Sequence, residues 1–204
     1  MKKAGKFIVI DGLDGCGKTT QVKLLVEKLR EQGKKVVETN EPTKGPVGKL
    51  IRQVLEKEVI LPPDALQLLF VADRGDHLKR TIKPALSAGK IVVSDRYLWS
   101  TIAYGSLNLN KNWLLSLHRY CLYPDISIFL DVKPKICLQR IGLRGKSRTV
   151  FEEEKELKIV WQTYQWLVKK FPRRVIIIDG ERKPEIISRE ILNKIFNQIL
   201  MTNE

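Results

Sequence analysis

Five apolar runs rich in β-branched residues recur along the chain, at 7–10, 36–37, 91–93, 126–130 and 175–178. They are continuous rather than alternating, the pattern of strands covered on both faces. Between them, apolar residues fall at helical spacing. Val22, Leu25, Val26 and Leu29 follow the i, i+3, i+4, i+7 rule that turns one face inward. The pattern predicts helices over about 17–32, 47–57, 64–86, 111–121, 151–170 and 184–200. Gly33, Pro84, Gly89, Pro124 and Pro172 punctuate them, and Pro62-Pro63 stands where a helix opens. Strands alternating with helices imply βαβ units. The expected fold class is therefore α/β, a five-stranded parallel sheet with helices on both faces. No repeat, low-complexity tract or linker breaks the pattern, so one domain is expected over 1–204.

In open α/β sheets, ligands bind beyond the carboxyl ends of the strands. That rule singles out Asp11 to Thr20, Asn40 to Thr43, Asp95 to Tyr97, Asp131 and Asp179-Gly180. The first segment carries the strongest signal. From Gly12 it reads G-x-x-x-x-G-K-T, after an apolar strand and before a helical pattern that starts at Gln21. This is a phosphate-binding loop in its proper context. Glycines let backbone N–H groups turn inward around phosphate oxygens, with no Cβ to block the approach. Lys18 supplies a mobile point charge for the β and γ phosphates, and the Thr19 hydroxyl is placed for Mg²⁺. Gly12, Asp14, Gly15, Cys16, Gly17, Lys18, Thr19 and Thr20 are the expected ATP-binding residues. The chain is expected to bind a nucleoside triphosphate.

Two further strands end in aspartate, at Asp95 and Asp131. A carboxylate there commonly holds Mg²⁺ or its waters beside the phosphate loop. Asp95 is the better candidate because Arg96 and Tyr97 follow at once, and an arginine there can bridge two phosphates by bidentate bonds. A local ion pair at a helix start is the alternative reading of Asp95-Arg96. Phe70 and Arg74 lie four apart on a predicted helix and share a face, as a base-stacking ring with a donor or as core plus rim. Thr101 and Tyr104 pose the same choice.

Bulk properties narrow the class. The 204 residues carry a net charge of +14, with a local cluster at Arg140, Arg144, Lys146 and Arg148. Spread along the chain, that charge suits two phosphate-bearing substrates, or nothing more than solubility, better than a nucleic-acid groove. No apolar stretch is long enough to span a membrane. Three scattered cysteines without metal-ligand spacing fit a reducing cytoplasm. Cys16 sits at a helix start, where a thiolate would be favoured, although a small residue filling a tight loop is the preferred account. With only His77 and His118, no His-based metal site is expected.

Taken together, Gly12 to Thr20, Asn40-Glu41-Pro42-Thr43, Leu68 to Arg74, Asp95-Arg96-Tyr97, Ser100 to Tyr104 and Tyr123 to Asp131 resemble the thymidylate kinase family of P-loop nucleoside monophosphate kinases. The resemblance runs from about Lys6 to the final helix. It implies a homodimeric enzyme that moves the ATP γ-phosphoryl group to dTMP with Mg²⁺, for dTTP synthesis, under a mobile lid at about 140–152. It also implies roles by position. Phe70 stacks on thymine, Arg74 meets its carbonyl edge, Asp14 lies near the sugar 3′-hydroxyl and Tyr104 crowds the 2′ position. Arg96 holds phosphate, Glu41 sits by the acceptor phosphate or a metal-bound water, and Tyr97 and Thr101 complete the substrate site. Thr19 and Asp95 are the implied metal ligands. The family's usual arginine before Glu41 is Asn40 here, with Lys44 as a compensating charge.

The acceptor phosphate has a second pKa of about 6, so it is already an anionic nucleophile at neutral pH and needs no general base. The expected catalytic groups are cations: Lys18, Arg96 and a lid arginine, Arg148 or Arg144. The lid is favoured because Gly15 and Cys16 bring no charge into the loop. Competing readings are another nucleotide or nucleoside kinase of the same fold, or a P-loop switch or DNA-associated ATPase. The N-K-x-D guanine signature of a GTPase switch is missing from the sequence.

Overall fold

A computed structural model describes residues 5–143 and 154–197. Its five strands are β1 (Lys6–Gly12), β2 (Val36–Asn40), β3 (Ile91–Asp95), β4 (Ile126–Asp131) and β5 (Val175–Asp179). They form one all-parallel sheet in the order β2-β3-β1-β4-β5, so β1 is central and the chain crosses over it. Six of the seven β1 residues are buried, as a strand covered on both faces requires.

The helices around the sheet are α1 (Lys18–Glu31), α2 (Pro46–Leu55), α3 (Pro63–His77), α4 (Lys83–Ser87) and α5 (Leu98–Gly105). They continue with α6 (Lys111–Leu117), α7 (Pro134–Gly142), α8 (Glu154–Lys170) and α9 (Pro184–Ile195). Val22, Leu25, Val26 and Leu29 of α1 are all buried, and α1 packs on α9 while α5 packs on α8. Each such aliphatic side chain contributes about 1.5–3 kcal/mol by leaving water. Among the described residues no helix is long and apolar enough to cross a membrane.

Several expectations from the sequence are refined. The helix expected over 64–86 is α3, a wider π-helical turn at Leu78–Ile82, and α4, with Pro84 inside the first turn of α4. The periodicity reading passed over α5 and α7. All eight α5 residues are buried, so it presents no polar face for a 3.6 period to reveal. In α7 only Cys137 and Ile141 are buried, too few to stand out.

The register sets up the site. Ile10 pairs with Asp95 and Gly12 with Leu130, so β3 delivers Asp95 beside the exit of β1.

Candidate active site

The loop between β1 and α1 can only be built from the residues it has. Gly15 has φ +82°, and a Cβ on it would stand 2.4 Å from the Cys137 carbonyl oxygen on α7. Gly17, with φ +98°, precedes the first residue of α1. Both conformations favour glycine, and the close approach to α7 leaves no room for a side chain at position 15. Lys18 folds back over this loop, its Nζ donating to the Leu13 carbonyl at 2.7 Å and standing 3.9 Å from Asp14 Oδ1. One residue on, Thr19 Oγ1 donates to Asp95 Oδ2 at 2.6 Å. Two hard oxygen donors side by side at a phosphate loop form a set suited to Mg²⁺, which takes one or two protein oxygens plus phosphates and water.

Arg96 holds the centre. It has φ +69°, an uncommon conformation for a non-glycine residue, and its N–H donates to Ile10 O at 3.0 Å. Its Nη2 donates to Asp14 Oδ1 at 2.6 Å and to the Tyr104 hydroxyl at 3.2 Å. Its Nη1 donates to Ser100 Oγ at 2.7 Å and to Gly12 O at 3.3 Å. The guanidinium also lies 4.9 Å from the Tyr104 ring centre. Tyr104 closes the ring by donating to Asp14 Oδ2 at 3.0 Å while accepting from the Asp14 N–H at 2.9 Å. Burial works against ionising Asp14, but the charges of Arg96 and Lys18 outweigh it and lower its pKa to about 2. Behind Ser100 lies Asp11, wholly buried, which accepts from Ser100 Oγ and from the Tyr164 hydroxyl. Burial raises the Asp11 pKa to about 6, against the opposing pull of Ser100, Arg96 and Lys18.

A second group of charges sits deeper. Arg74 is 1% exposed, and its Nε and Nη2 both donate to Glu41 Oε2, at 3.0 and 2.6 Å. Nη2 also donates to Thr101 Oγ1 at 2.8 Å, Nη1 stands 3.2 Å from His118 Nδ1, and the Tyr97 ring lies 4.8 Å away. The other Glu41 oxygen meets His77 Nδ1 at 3.0 Å, and His77 Nε2 pairs with Thr39 Oγ1 at 2.7 Å. Burial, reinforced by the Arg74 charge, lowers the His118 pKa to about 2, so the ring is neutral. Asp73 anchors the preceding loop, accepting from the Thr43 N–H at 2.7 Å and its hydroxyl at 2.6 Å.

Two cavities open onto these groups. One, of about 560 Å³, is lined by Asp14, Gly15, Gly17, Lys18, Thr19, Thr20, Asn40, Glu41, Lys44, Asp95 and Arg96, among others. The other, of about 190 Å³, is lined by Asp14, Glu41, Gln67, Phe70, Arg74, Arg96, Tyr97, Ser100, Thr101 and Tyr104, with Pro42 and Leu55. Asp14, Glu41 and Arg96 line both.

A family description for thymidylate kinase matches residues 10–191. The chain belongs to the thymidylate kinase family. Relatives named "probable thymidylate kinase" agree along nearly its whole length. That of Pyrococcus horikoshii is 43% identical over 85% of this chain and 87% of its own. That of Thermococcus gammatolerans is 39% identical over 96% and 98%, and that of Methanosarcina barkeri 37% over 94% and 96%.

In this member of the thymidylate kinase family, the residues singled out around β1, β2 and β3 and on α3 and α5 meet beyond the carboxyl ends of the strands, with some differences of role, whereas Asp179-Gly180 line neither cavity. Asp131 stands apart: Trp161 Nε1 and Gln165 Nε2 of α8 donate to it at 2.6 and 3.0 Å, which makes it a strand-to-helix brace. The Tyr97 hydroxyl donates to Leu122 O at 3.0 Å, so only its ring faces the smaller cavity. Cys16 is buried, and burial pushes its thiol pKa up, so it fills space and is no thiolate. Arg144, Lys146 and Arg148, and most of the segment expected as a lid, lie outside the described residues. Asp11 was singled out only as the start of the strand-end segment 11–20, and Gln67, Asp73, His77 and His118 were given no place in the site. Gln67, Asp73 and His77 could have been found from helical spacing against Phe70 and Arg74, whereas His118 carries no such signal.

Proposed function

We propose that this chain is a dTMP kinase that moves the γ-phosphoryl group of ATP to the phosphate of dTMP, giving dTDP and ADP. One observation carries the reading: a cavity on the phosphate loop and a base-sized pocket meet at Asp14, Glu41 and Arg96. A donor phosphate in the first and a nucleoside monophosphate in the second would come together at the Arg96 guanidinium. The larger cavity takes the triphosphate, with loop N–H groups and Lys18 around its outer phosphates. The smaller one takes the nucleoside, with Phe70 under the base and Arg74 as a fixed donor for a carbonyl.

The Glu41 carboxylate is spoken for by Arg74 and His77, so in this reading it aims Arg74 rather than acting on phosphate itself. Asp14 does the same for Arg96 and keeps its charge at any physiological pH. Tyr104, braced on Asp14 and stacked on Arg96, walls the sugar side of the pocket. Thr19 and Asp95 would hold Mg²⁺, which neutralises charge on the β and γ phosphate oxygens when bound. Positioning plus cationic stabilisation of an in-line displacement is sufficient chemistry, because the attacking oxygen is already anionic. Arg148 or Arg144 of the lid segment supplies the last cation, closing over the phosphates and keeping water out. The homodimeric state, the cytoplasmic setting and the mobile lid belong to this reading on family resemblance.

The test is ADP release with MgATP and a panel of nucleoside monophosphates. Turnover with dTMP well above all others is expected. ADP release that ignores every acceptor overturns the reading in favour of an ATPase.

A further inference from the structure

One side chain of the base pocket has no part in the reading above. Gln67 is 3% exposed, and its Oε1 is buried with no hydrogen-bond partner among the described residues. On α3 it stands three residues before Phe70 and seven before Arg74, so the three share one face of the helix, and all three line the 190 Å³ cavity. The carboxamide rests against the end of α5. A Cβ on Gly105 would stand 3.1 Å from both Cδ and Oε1 of Gln67, so the missing side chain is what makes room for the amide. Leaving a buried carbonyl oxygen unpaired is destabilising. An unpaired acceptor on a side chain that lines a ligand cavity therefore points to a donor that arrives with the ligand.

We propose that Gln67 Oε1 accepts the N3–H of the thymine ring, which makes Gln67 a specificity-determining residue. The proposal rests on the dTMP kinase reading. Thymine carries a single hydrogen-bond donor on its base, N3–H, between two carbonyls. Arg74 can only donate, so it serves a carbonyl and leaves the N3 hydrogen to another group. The Thr101 oxygen already accepts from Arg74. Gln67 offers the free acceptor on the same helical face as the ring expected to stack. Cytosine presents a lone pair at N3, which the same oxygen repels, so Gln67 also disfavours dCMP.

Steady-state kinetics of ADP release, on wild type, Gln67→Met and Gln67→Ala, separate this from a packing role. Each variant is first checked for an intact melting transition. The substrates are dTMP, N3-methyl-dTMP, 3′-deoxy-dTMP and dCMP. The methionine variant keeps the volume without the acceptor, and the alanine variant guards against a misfit of the longer chain. We expect KM for dTMP to rise about tenfold or more with kcat little changed. The preference for dTMP over N3-methyl-dTMP and over dCMP narrows by the same factor, while the preference over 3′-deoxy-dTMP holds. Folded variants whose preference over N3-methyl-dTMP is unchanged overturn the proposal. Narrowing confined to the 3′-deoxy analogue also overturns it, by assigning the acceptor to the sugar hydroxyl. Wild-type enzyme inactive on dTMP strikes the kinase reading itself, a different failure from active enzyme with unaltered selectivity.

Discussion

Arg96 Nη2 and Asp14 Oδ1 stand 2.6 Å apart, and both residues line the phosphate-loop cavity and the base pocket. The pair joins the end of β3 to the loop after β1, so the guanidinium is held where donor and acceptor phosphates would converge. Its positive φ aims the side chain back over β1 rather than along the strand. Replacing Arg96 with lysine keeps the charge but loses the planar fork that serves Asp14, Ser100, Gly12 and Tyr104 together. We expect kcat to fall by on the order of 10² or more, measured by coupled ADP release. Near wild-type turnover in that variant would remove Arg96 from the reaction.

Lys18 covers the loop through Leu13 O and sits within reach of the larger cavity. Lys18→Ala should lower kcat by roughly 10²–10³, the scale of losing one preorganised charge. Its melting temperature should change little, which distinguishes lost catalysis from lost fold.

Glu41 and Arg74 form a buried pair whose side chains are 3% and 1% exposed. Removing one member strands the other charge, which costs about 3–5 kcal/mol. Glu41→Ala should therefore lower Tm by on the order of 10 °C and raise KM for dTMP, since Arg74 would lose its aim. An unshifted thermal transition would mean that the pair does not hold the pocket together.

Phe70→Ala should raise KM for dTMP about tenfold or more while kcat is largely kept, the effect of losing a stacking surface for a base. If KM stays put, Phe70 is packing between α2 and α3 and no more.

Asp11 makes a pH-dependent prediction whose sign follows from burial. Its folded pKa of about 6 lies above the ordinary 3.8, so the native state binds more protons in between and stability falls as pH rises through that window. The loss amounts to about 3 kcal/mol above pH 6. Asp11→Asn removes the titration, so its Tm relative to wild type should climb between about pH 4 and 6 and then level off. A difference that stays flat across that range would show that the buried carboxyl does not titrate there.

How much of this was legible beforehand depends on how far apart the cooperating residues lie. The phosphate loop was readable because its glycines, Lys18 and Thr19 are consecutive and their spacing alone brings the N–H groups around an anion. Asp95 and Asp131 each close an apolar strand, and the Arg96-Tyr97 that follows already favoured the first. The packing of α8 adds what sequence could not, since Trp161 and Gln165 occupy the second and leave the first to Thr19. Helix α5 escaped because it is buried on all sides and therefore has no stripe.

The chain by itself determined local matters: five strands, the faces of the amphipathic helices, and a loop that must bind phosphate. These follow from periodicity and backbone freedom within a few residues, which neighbouring side chains encode directly. Tertiary structure decided the order β2-β3-β1-β4-β5, the union of Glu41 with Arg74 across 33 residues, and the unpartnered buried oxygen of Gln67, a residue that lines the base pocket. Such pairings depend on which surfaces exclude water together, a property of the whole packed sheet that no short window of sequence contains.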